Sequence, residues 1–528
     1  MMRATTVLLG VLALAAMACE PTIEVKLTVV PPCDQGDALD GTGTIRFEIT
    51  GTEVKPLASN FSRGKKTGAI TGLPLGDDIV VGVKAYAGDV EKTPDVLNTS
   101  PLAAGSTQPR DYTAESERSI EISVPVGKVD TFASTTNAAE KKCTAMSTPR
   151  HGHTATYLPK LGKVLIVGGA SVDENGQDRI LATAELYDPA KGTFEALPEP
   201  PGGPRVYHAA VALADGRALI TGGIGMINNN LQTLGSGFVY DPGVSGNRSP
   251  YTLVVMPTHQ ARAHHTATLS ETGNVVLLVG GCTNSAGQVC TRSSASNAFE
   301  TTLVFDIAQF DGGNTALTPG PNLPGDEGRV FHVALPLPDG RILIAGGSTG
   351  GAQPACKLLM YDSRQMTFLA DFTDTLSGDG CTSHLAGAVF TDGRVVLSGG
   401  YKSLNLDGSP PASATEISAA TTVWDSAQTV RVSTGPALSA GRAEHVAFAL
   451  LTDELLVVGG QGGSSDAERV DLVAQQSVPT AGVPVSKRLA IAGVSLGSGQ
   501  PLLLGGIDPT DGASGATQAA AELFFYAR

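Results

Sequence analysis

Arg205-Val-Tyr-His208-Ala-Ala-Val-Ala-Leu-Ala-Asp215-Gly216-Arg217-Ala-Leu-Ile-Thr221-Gly222-Gly223 is the stretch on which the fold turns. Two short apolar segments are joined by Asp-Gly, and the second closes in a glycine pair. Asp-Gly between such segments predicts a tight hairpin with a type I′ turn, since that turn needs positive φ at both central positions. The turn recurs as Asp339-Gly340-Arg341 and Asp392-Gly393-Arg394. Apolar runs end in Gly-Gly seven times, at 168–169, 222–223, 280–281, 346–347, 399–400, 459–460 and 505–506. The spacings are 54, 58, 66, 53, 60 and 46 residues. Self-similarity at such a period predicts a β-propeller in which each repeat is one blade.

Each unit continues with a third strand, as in Leu186-Tyr187-Asp188-Pro189, Val239-Tyr240-Asp241-Pro242, Val304-Phe305-Asp306, Met360-Tyr361-Asp362 and Val423-Trp424-Asp425. A fourth follows, as in Gly192-Thr193-Phe194 and Met366-Thr367-Phe368. Four antiparallel strands make one blade. The seventh unit ends after its third strand, Ala521-Glu-Leu-Phe-Phe-Tyr526, whereas Asp130-Thr131-Phe132 before the first unit has the form of a fourth strand. Residues 129–134 are therefore expected to complete blade seven, which removes two open sheet edges at once.

An Arg-led first strand, a second strand closing in Gly-Gly and aromatic residues in the later strands resemble the Kelch repeat over residues 128–528. The resemblance implies an all-β fold, a seven-bladed Kelch-type propeller similar to the central domain of galactose oxidase. For function it implies either a partner-binding scaffold or an enzyme, a copper-radical oxidase or a sugar mutarotase. The oxidase's two tyrosine and two histidine ligands match no assignable positions, so no metal or other cofactor is assigned. None of the glycine pairs continues into a phosphate-binding Gly-Lys-Ser/Thr loop.

Ahead of the propeller, residues 19–127 read as a tether and a small immunoglobulin-like β-sandwich. Its strand signals are Ile23-x-Val25-x-Leu27-x-Val29, Ile45-x-Phe47-x-Ile49, the apolar run 79–83 and Ile120-x-Ile122-x-Val124. Its expected role is a spacer, with carbohydrate binding as the other use. Residues 1–18 open with Met1-Met2-Arg3, carry an apolar stretch at 7–16 too short to span a membrane, and lead into Ala16-Met17-Ala18-Cys19. This resembles a bacterial lipoprotein signal peptide, which implies cleavage before Cys19 and its lipidation. An ordinary secretory signal is the alternative. Glu20 after the cysteine points, by the habit of that class, to the outer membrane. The protein is thus expected to be exported and lipid-anchored in the cell envelope.

Seven cysteines less Cys19 leave six, an even number suited to an oxidising compartment. Cys282 with Cys290, Cys356 with Cys381, and Cys33 with Cys143 are the expected disulfides among fifteen formal pairings. A net charge of −15 and pI near 5.1 argue against nucleic acid, which rewards clustered Lys and Arg. Aromatics are only 5 %, with Trp424 the sole tryptophan, so stacking platforms for bases or polysaccharide are scarce.

The first-strand phrase is Arg150-x-x-His153, Arg205-x-x-His208, Arg262-x-x-His265, Arg329-x-x-His332, Cys381-x-x-His384, Arg442-x-x-His445 and Arg488-x-x-Ile491. Six equivalent histidines invite a metal reading, but blades spread round an axis hold equivalent atoms too far apart to share an ion at about 2 Å. Histidines that hydrogen-bond neighbouring backbone and lock blade to blade are the alternative. For Arg150, Arg205, Arg262, Arg329, Arg442 and Arg488 two readings stand. Each pairs with a carboxylate or carbonyl of the next blade, or together they present donors to an anionic ligand at the channel mouth. A binding site is otherwise expected where the blades differ: His151, His264, Tyr207, Phe331 and Glu444 in the phrase, and the long loops 224–237, 282–300 and 401–420. The partner expected there is a protein or a glycan.

Overall fold

The computed structural model describes residues 24–52, 54–63, 76–112, 119–173, 175–228, 230–246, 248–283, 298–325, 327–350, 353–404, 413–462, 466–484, 488–508 and 516–527. Among these residues, seven four-stranded antiparallel sheets follow one another, each built in chain order from the inside outward with one exception. The first holds Thr154–Leu158, Lys163–Val167, Ala184–Asp188 and Thr193–Ala196. The second holds Ala209–Ala212, Ala218–Thr221, Ser236–Tyr240 and Tyr251–Val255. The next four open with Thr266–Leu269, Val333–Pro336, Ala386–Val389 and Val446–Ala449. The exception is the seventh: Ala492–Ser495, Pro501–Leu504 and Ala521–Phe525 take Thr131–Ser134 as their fourth strand, with Phe132 opposite Phe524. Each first strand touches the next one round, and the seventh touches the first, so the cycle closes in a propeller-like ring.

The core lies between sheets. Leu165 and Val167 of the first sheet pack with Ile220 and Phe238 of the second, and Leu219 and Val239 pack in turn with Val276 and Leu303 of the third. Second strands are apolar along their middles, as in Val164–Val167, Ala218–Ile220 and Val275–Val279, because both faces of each sheet are covered.

The Asp-Gly turns differ from the expected type I′. Only the glycine has positive φ, +99° at Gly216, and its N–H donates to the Leu213 carbonyl while Leu213 N–H donates to the Arg217 carbonyl. That is a type I turn closed by a glycine bulge, in which one left-handed residue suffices. The Asp215 side chain occupies itself instead with the Arg217 N–H at 3.0 Å and with its guanidinium.

The glycine pairs join the sheets. The N–H of each second glycine donates to the carbonyl of the residue opening the next sheet: Gly169 to Arg205, Gly223 to Arg262, Gly281 to Arg329, Gly347 to Thr382, Gly400 to Arg442, Gly460 to Arg488 and Gly506 to Arg150, at 2.7 to 3.1 Å. Both glycines of a pair have positive φ, and a Cβ on Gly222 would stand 2.2 Å from the Arg262 carbonyl oxygen. Here glycine is a requirement of close approach. In the fifth sheet Thr382 holds the arginine's place, so the expected phrase Cys381-x-x-His384 is corrected by one residue.

The front of the chain forms two layers. Leu57–Ser62, Thr44–Thr52, Gly76–Tyr86, Ala103–Ser106 and Gly127–Lys128 make one sheet in that order, joined at its third strand by Arg110–Tyr112. Glu24–Val30 pairs in parallel with Ser119–Pro125 in the other layer. Leu27, Val29 and Val124 meet Phe47, Ile49, Val81 and Val83 between them. This unit is fastened to the seventh sheet. Cys33 is disulfide-bonded to Cys143, Asp34 accepts from Ser134 N–H at 2.9 Å, and Gln108 exchanges two hydrogen bonds with Ser498. The segment round Cys33 thereby covers the outer edge of Thr131–Ser134.

Deleting residues 129–134 should expose the edge of Ala521–Phe525 and abolish cooperative melting. A soluble deletion variant with a single sharp thermal transition would contradict this assignment of the closing strand.

Candidate functional site

The arginines lie inside the sheets and do not line a mouth. All six are at most 1 % exposed. Each Nη1 donates to the carbonyl of the first glycine of its own sheet's pair: Arg150 to Gly168 at 2.8 Å, Arg205 to Gly222, Arg262 to Gly280 and Arg329 to Gly346 at 3.1 Å, Arg442 to Gly459 at 3.2 Å and Arg488 to Gly505 at 3.0 Å. Thr382 does the same with its hydroxyl, to Gly399 at 2.7 Å. Both sequence readings are thereby corrected: side-chain partners sit in the arginine's own sheet, and the guanidinium is turned away from solvent. Glu185, Glu468 and Glu522, equivalent on the third strands, pair with Arg150, Arg442 and Arg488. Phe238 takes that place in the second sheet, 5.1 Å below the Arg205 guanidinium. Burial pushes the pKa of Arg205 and Arg329 down to about 10 and that of Arg262 to about 9, which leaves them charged at neutral pH. The glutamates escaped the sequence reading, although Ala-Glu recurs at the start of three third strands.

The histidines bond hydroxyls of the preceding sheet, which corrects the expected backbone partners. His208 Nε2 meets Thr154 Oγ1 at 2.8 Å, His265 meets Thr221 at 2.9 Å, His332 meets Thr266 at 3.0 Å and His445 meets Ser398 at 2.8 Å. The hydroxyl stands on either of two residues paired across the first and second strands, Thr154↔Val167, Ala209↔Thr221, Thr266↔Val279 or Ala386↔Ser398. Where the pair is Val333↔Ala345 or Val446↔Val458, the next sheet supplies Leu385 or Ile491. The rule is one hydroxyl for one imidazole, and neither otherwise. His153 is the exception: its sheet neighbour carries Ala492↔Leu504, and neither ring nitrogen has a partner among the described residues.

Between each arginine and histidine stands one residue in left-handed backbone. These are Gly152, Tyr207, His264, Phe331, His384, Glu444 and Ala490, with φ from 49° to 60°. They form an annulus at the end where first strands begin. Gly152 N–H donates to Ala490 O at 3.3 Å, Tyr207 to Gly152 at 2.9 Å, His264 to Tyr207 at 3.1 Å, His384 to Phe331 at 3.0 Å and Glu444 to His384 at 3.1 Å. Every unit adopts the conformation, so it belongs to the architecture. The side chains are another matter, because left-handed backbone favours Gly, Asn and Asp and costs other residues about 1 kcal/mol or more.

Those side chains lean on one another in an arc. Tyr207 and His264 stack at 4.5 Å between ring centroids, His264 meets Phe331 edge-on at 4.8 Å, and Phe331 stacks on His384 at 3.9 Å. Tyr401, from the loop after the fifth glycine pair, meets His384 at 5.2 Å and donates to Glu444 at 3.0 Å. His151 holds Asp178 at 2.9 Å, a bond that lowers the carboxyl's pKa. Tyr207, Phe331 and Glu444 are thus brought to one place, with His264 and, from the expected loop 401–420, Tyr401; His384 was not expected there. A signal existed, since all five arc residues precede the histidine position once the fifth phrase is shifted. Beside the arc, loop 224–237 folds into the hairpin Ile224–Ile227 and Asn230–Thr233, with Met226 and Ile227 exposed.

Cys356 is bonded to Cys381, and Cys282 is also disulfide-bonded. Cys290 and Cys19 lie outside the described residues, as does most of loop 282–300. Among the described residues no three His, Cys, Asp or Glu side chains gather to hold a metal ion, and no helix is long and apolar enough to cross a membrane.

No protein-family profile matches the chain, and no curated protein does. The solved structure of YjhT is similar at a TM-score of 0.45 and 15 % identity, over 63 % of this chain and 98 % of that one. At that level the likeness carries no argument, and the architecture rests on the strand pairing.

Burial holds His153, His208, His265, His332 and His445 neutral, with pKa values lowered, to about 3 for His332 and His445. A base whose folded-state pKa lies below its unfolded 6.5 contributes in full above that pH and loses its contribution as pH falls towards about 3. The loss is about 1.4 kcal/mol per pH unit per histidine. Replacing His332→Leu together with Thr266→Val reproduces the Leu385 and Val333 pairing. This double variant should keep stability at pH 7.5 within about 1 kcal/mol of the parent while shedding one histidine's slope between pH 6 and 4. His332→Leu alone, which strands the Thr266 hydroxyl, should cost about 1–2 kcal/mol. Denaturant titrations at several pH values read all three quantities.

Proposed function

We propose that this chain is an exported cell-envelope lipoprotein whose seven-bladed Kelch-type propeller, residues 128–528, is a scaffold that binds a protein or glycan at its mouth. Residues 19–127, an immunoglobulin-like sandwich behind a lipidated Cys19, carry it. The observation behind this reading is the convergence of the units' differences. Aromatic, imidazole and carboxylate side chains occupy one annulus whose backbone would prefer glycine, so backbone geometry does not account for their identities. Tyr207 and Glu444 with His264 and His384 offer apolar edges, hydrogen-bonding groups and one carboxylate along one arc, backed by the buried Phe331 and Tyr401 rings. Gly152 and Ala490 leave the rest of the rim without bulk.

The placement of the front domain suits this role. Its bonds to Ser498 reach the turn after a first strand, at the end opposite the mouth. Val30 lies at the joint, accepting from Val126 N–H, and Glu24 lies about 20 Å beyond it at 3.3 Å per residue. This placement is compatible with a membrane anchor on Cys19 and a mouth that faces outward from the lipid.

Glu444→Asn suits left-handed backbone at least as well as the residue it replaces, so its melting should be unchanged or raised, whereas Phe331→Gly also removes a ring packed with Val206, Ile224 and Val330 and should lower the melting temperature. On a glycan array and in pull-downs of envelope proteins with the full exported chain, capture should fall at least tenfold. Capture that survives both substitutions would remove the mouth from consideration.

A further inference from the structure

A second site lies at the opposite end of the molecule, in the joint between the front domain and the seventh sheet. The front sheet alternates: Phe47, Ile49 and Val81 enter its core, while Glu48, Val80, Gly82 and Lys84 face the other way. That outer face is closed over by the end of the chain, Phe524 and Phe525, and by Gln500 from the turn before Pro501–Leu504. A half-open cavity of about 300 Å³ remains between them. This is the lower end of the range for small-molecule sites.

Gly82 keeps the cavity open. Its φ is not in the left-handed region, and the nearest atoms to a Cβ placed there are the Glu48 carbonyl oxygen at 3.7 Å and Glu48 Cβ at 3.9 Å. The backbone does not require glycine, so its effect is to withhold a side chain. Gln500 is 5 % exposed, and its Oε1 has no hydrogen-bond partner among the described residues. A buried acceptor left unmet is costly, so the occupant should bring a donor. The charges on the wall are already used: Lys84 Nζ is 2.9 Å from Glu48 Oε2, and Arg46 Nε is 2.7 Å from Glu48 Oε1. They hold the Glu48 carboxyl below its usual pKa against the opposing effect of burial. An ionic occupant would find no unpaired counter-charge.

We infer that this joint binds a small, neutral, largely apolar molecule carrying one N–H or O–H donor, which bonds Gln500 Oε1 and packs against Val80 and Phe525. At roughly 30 Å³ per water-sized group the space takes about ten non-hydrogen atoms. The occupant touches both units, so it binds the docked state and stabilises it. The inference is independent of what the mouth binds.

Indole, with one N–H and a fused ring of suitable size, is the probe, and indene is its donor-free counterpart. Calorimetric titration of the full exported chain should show saturable indole binding at millimolar or lower Kd, at least tenfold tighter than indene, and a rise in Tm. Gly82→Leu should abolish both while the protein still melts cooperatively, and Val80→Phe is the second filler should that variant not fold. Gln500→Leu should erase the difference between indole and indene. Absence of saturable indole binding, or binding that survives both fillers, would overturn the site. Glycan or protein capture at the mouth should be untouched by any of these changes, so the two readings fail separately.

Discussion

One peptide group per sheet holds the ring together, the one linking the two glycines of each pair. Its N–H donates to the carbonyl that opens the next sheet, and its own carbonyl accepts from the arginine, or Thr382, of its own sheet. A cation on the carbonyl polarises the peptide and strengthens the donor at its other end, in an interior where such cooperation counts. The series runs unbroken from Gly169 to Gly506, whose N–H returns to Arg150. Neither glycine can take a side chain, and the buried arginine cannot lose its charge without weakening the joint. This explains why guanidinium groups lie at positions where isolated charges are normally expensive. Glu185, Glu468 and Glu522 offset that expense in three sheets, and carbonyls with the Phe238 and Phe299 rings do so in two others.

With the ring fixed by backbone, the residues inside it are released from folding duties. The left-handed position is set by the arginine on one side and the histidine position on the other, so its conformation is imposed whatever stands there. Gly152 and Ala490 show that small residues satisfy it. Part of the cost in the arc from Tyr207 to Glu444 is returned by packing of Phe331 and Tyr207 against Val206, Ile224 and Val330, and the remainder is where a binding role is reasonably sought.

How much of this was legible depends on whether the cause was local. Gly-Gly, Asp-Gly and the alternating runs state their geometry within a few residues, and they place the strands and the pairing of Thr131–Ser134 with Ala521–Phe525. The partners of Arg150 or His332 are not local. They lie across strands, and the hydroxyl for a histidine stands at either of two facing positions, so no fixed spacing marks it. The fifth sheet misled for a related reason. With Thr382 in the arginine's place, His384 became the only histidine to align on, and it belongs to the mouth while Leu385 fills the slot. Tyr401 lay in an expected loop, but its bond to Glu444 needed the fold itself, since it is made across two units.

The seam between the seventh and first sheets differs from the other six joints. Its glycine bond is present, yet His153 faces Ala492 and Leu504 and finds no hydroxyl. A joint that buries an imidazole with neither ring nitrogen partnered among the described residues would be the natural place for a ring to open. The compensation comes from outside the repeat. Thr131–Ser134 crosses from the front of the chain to complete the seventh sheet, Asp130 ties it to Arg469 of the sixth, and Cys33 bonds Cys143 just before the first. The front domain is therefore more than a spacer: it is bonded to both sides of the one joint where the repeating rule fails.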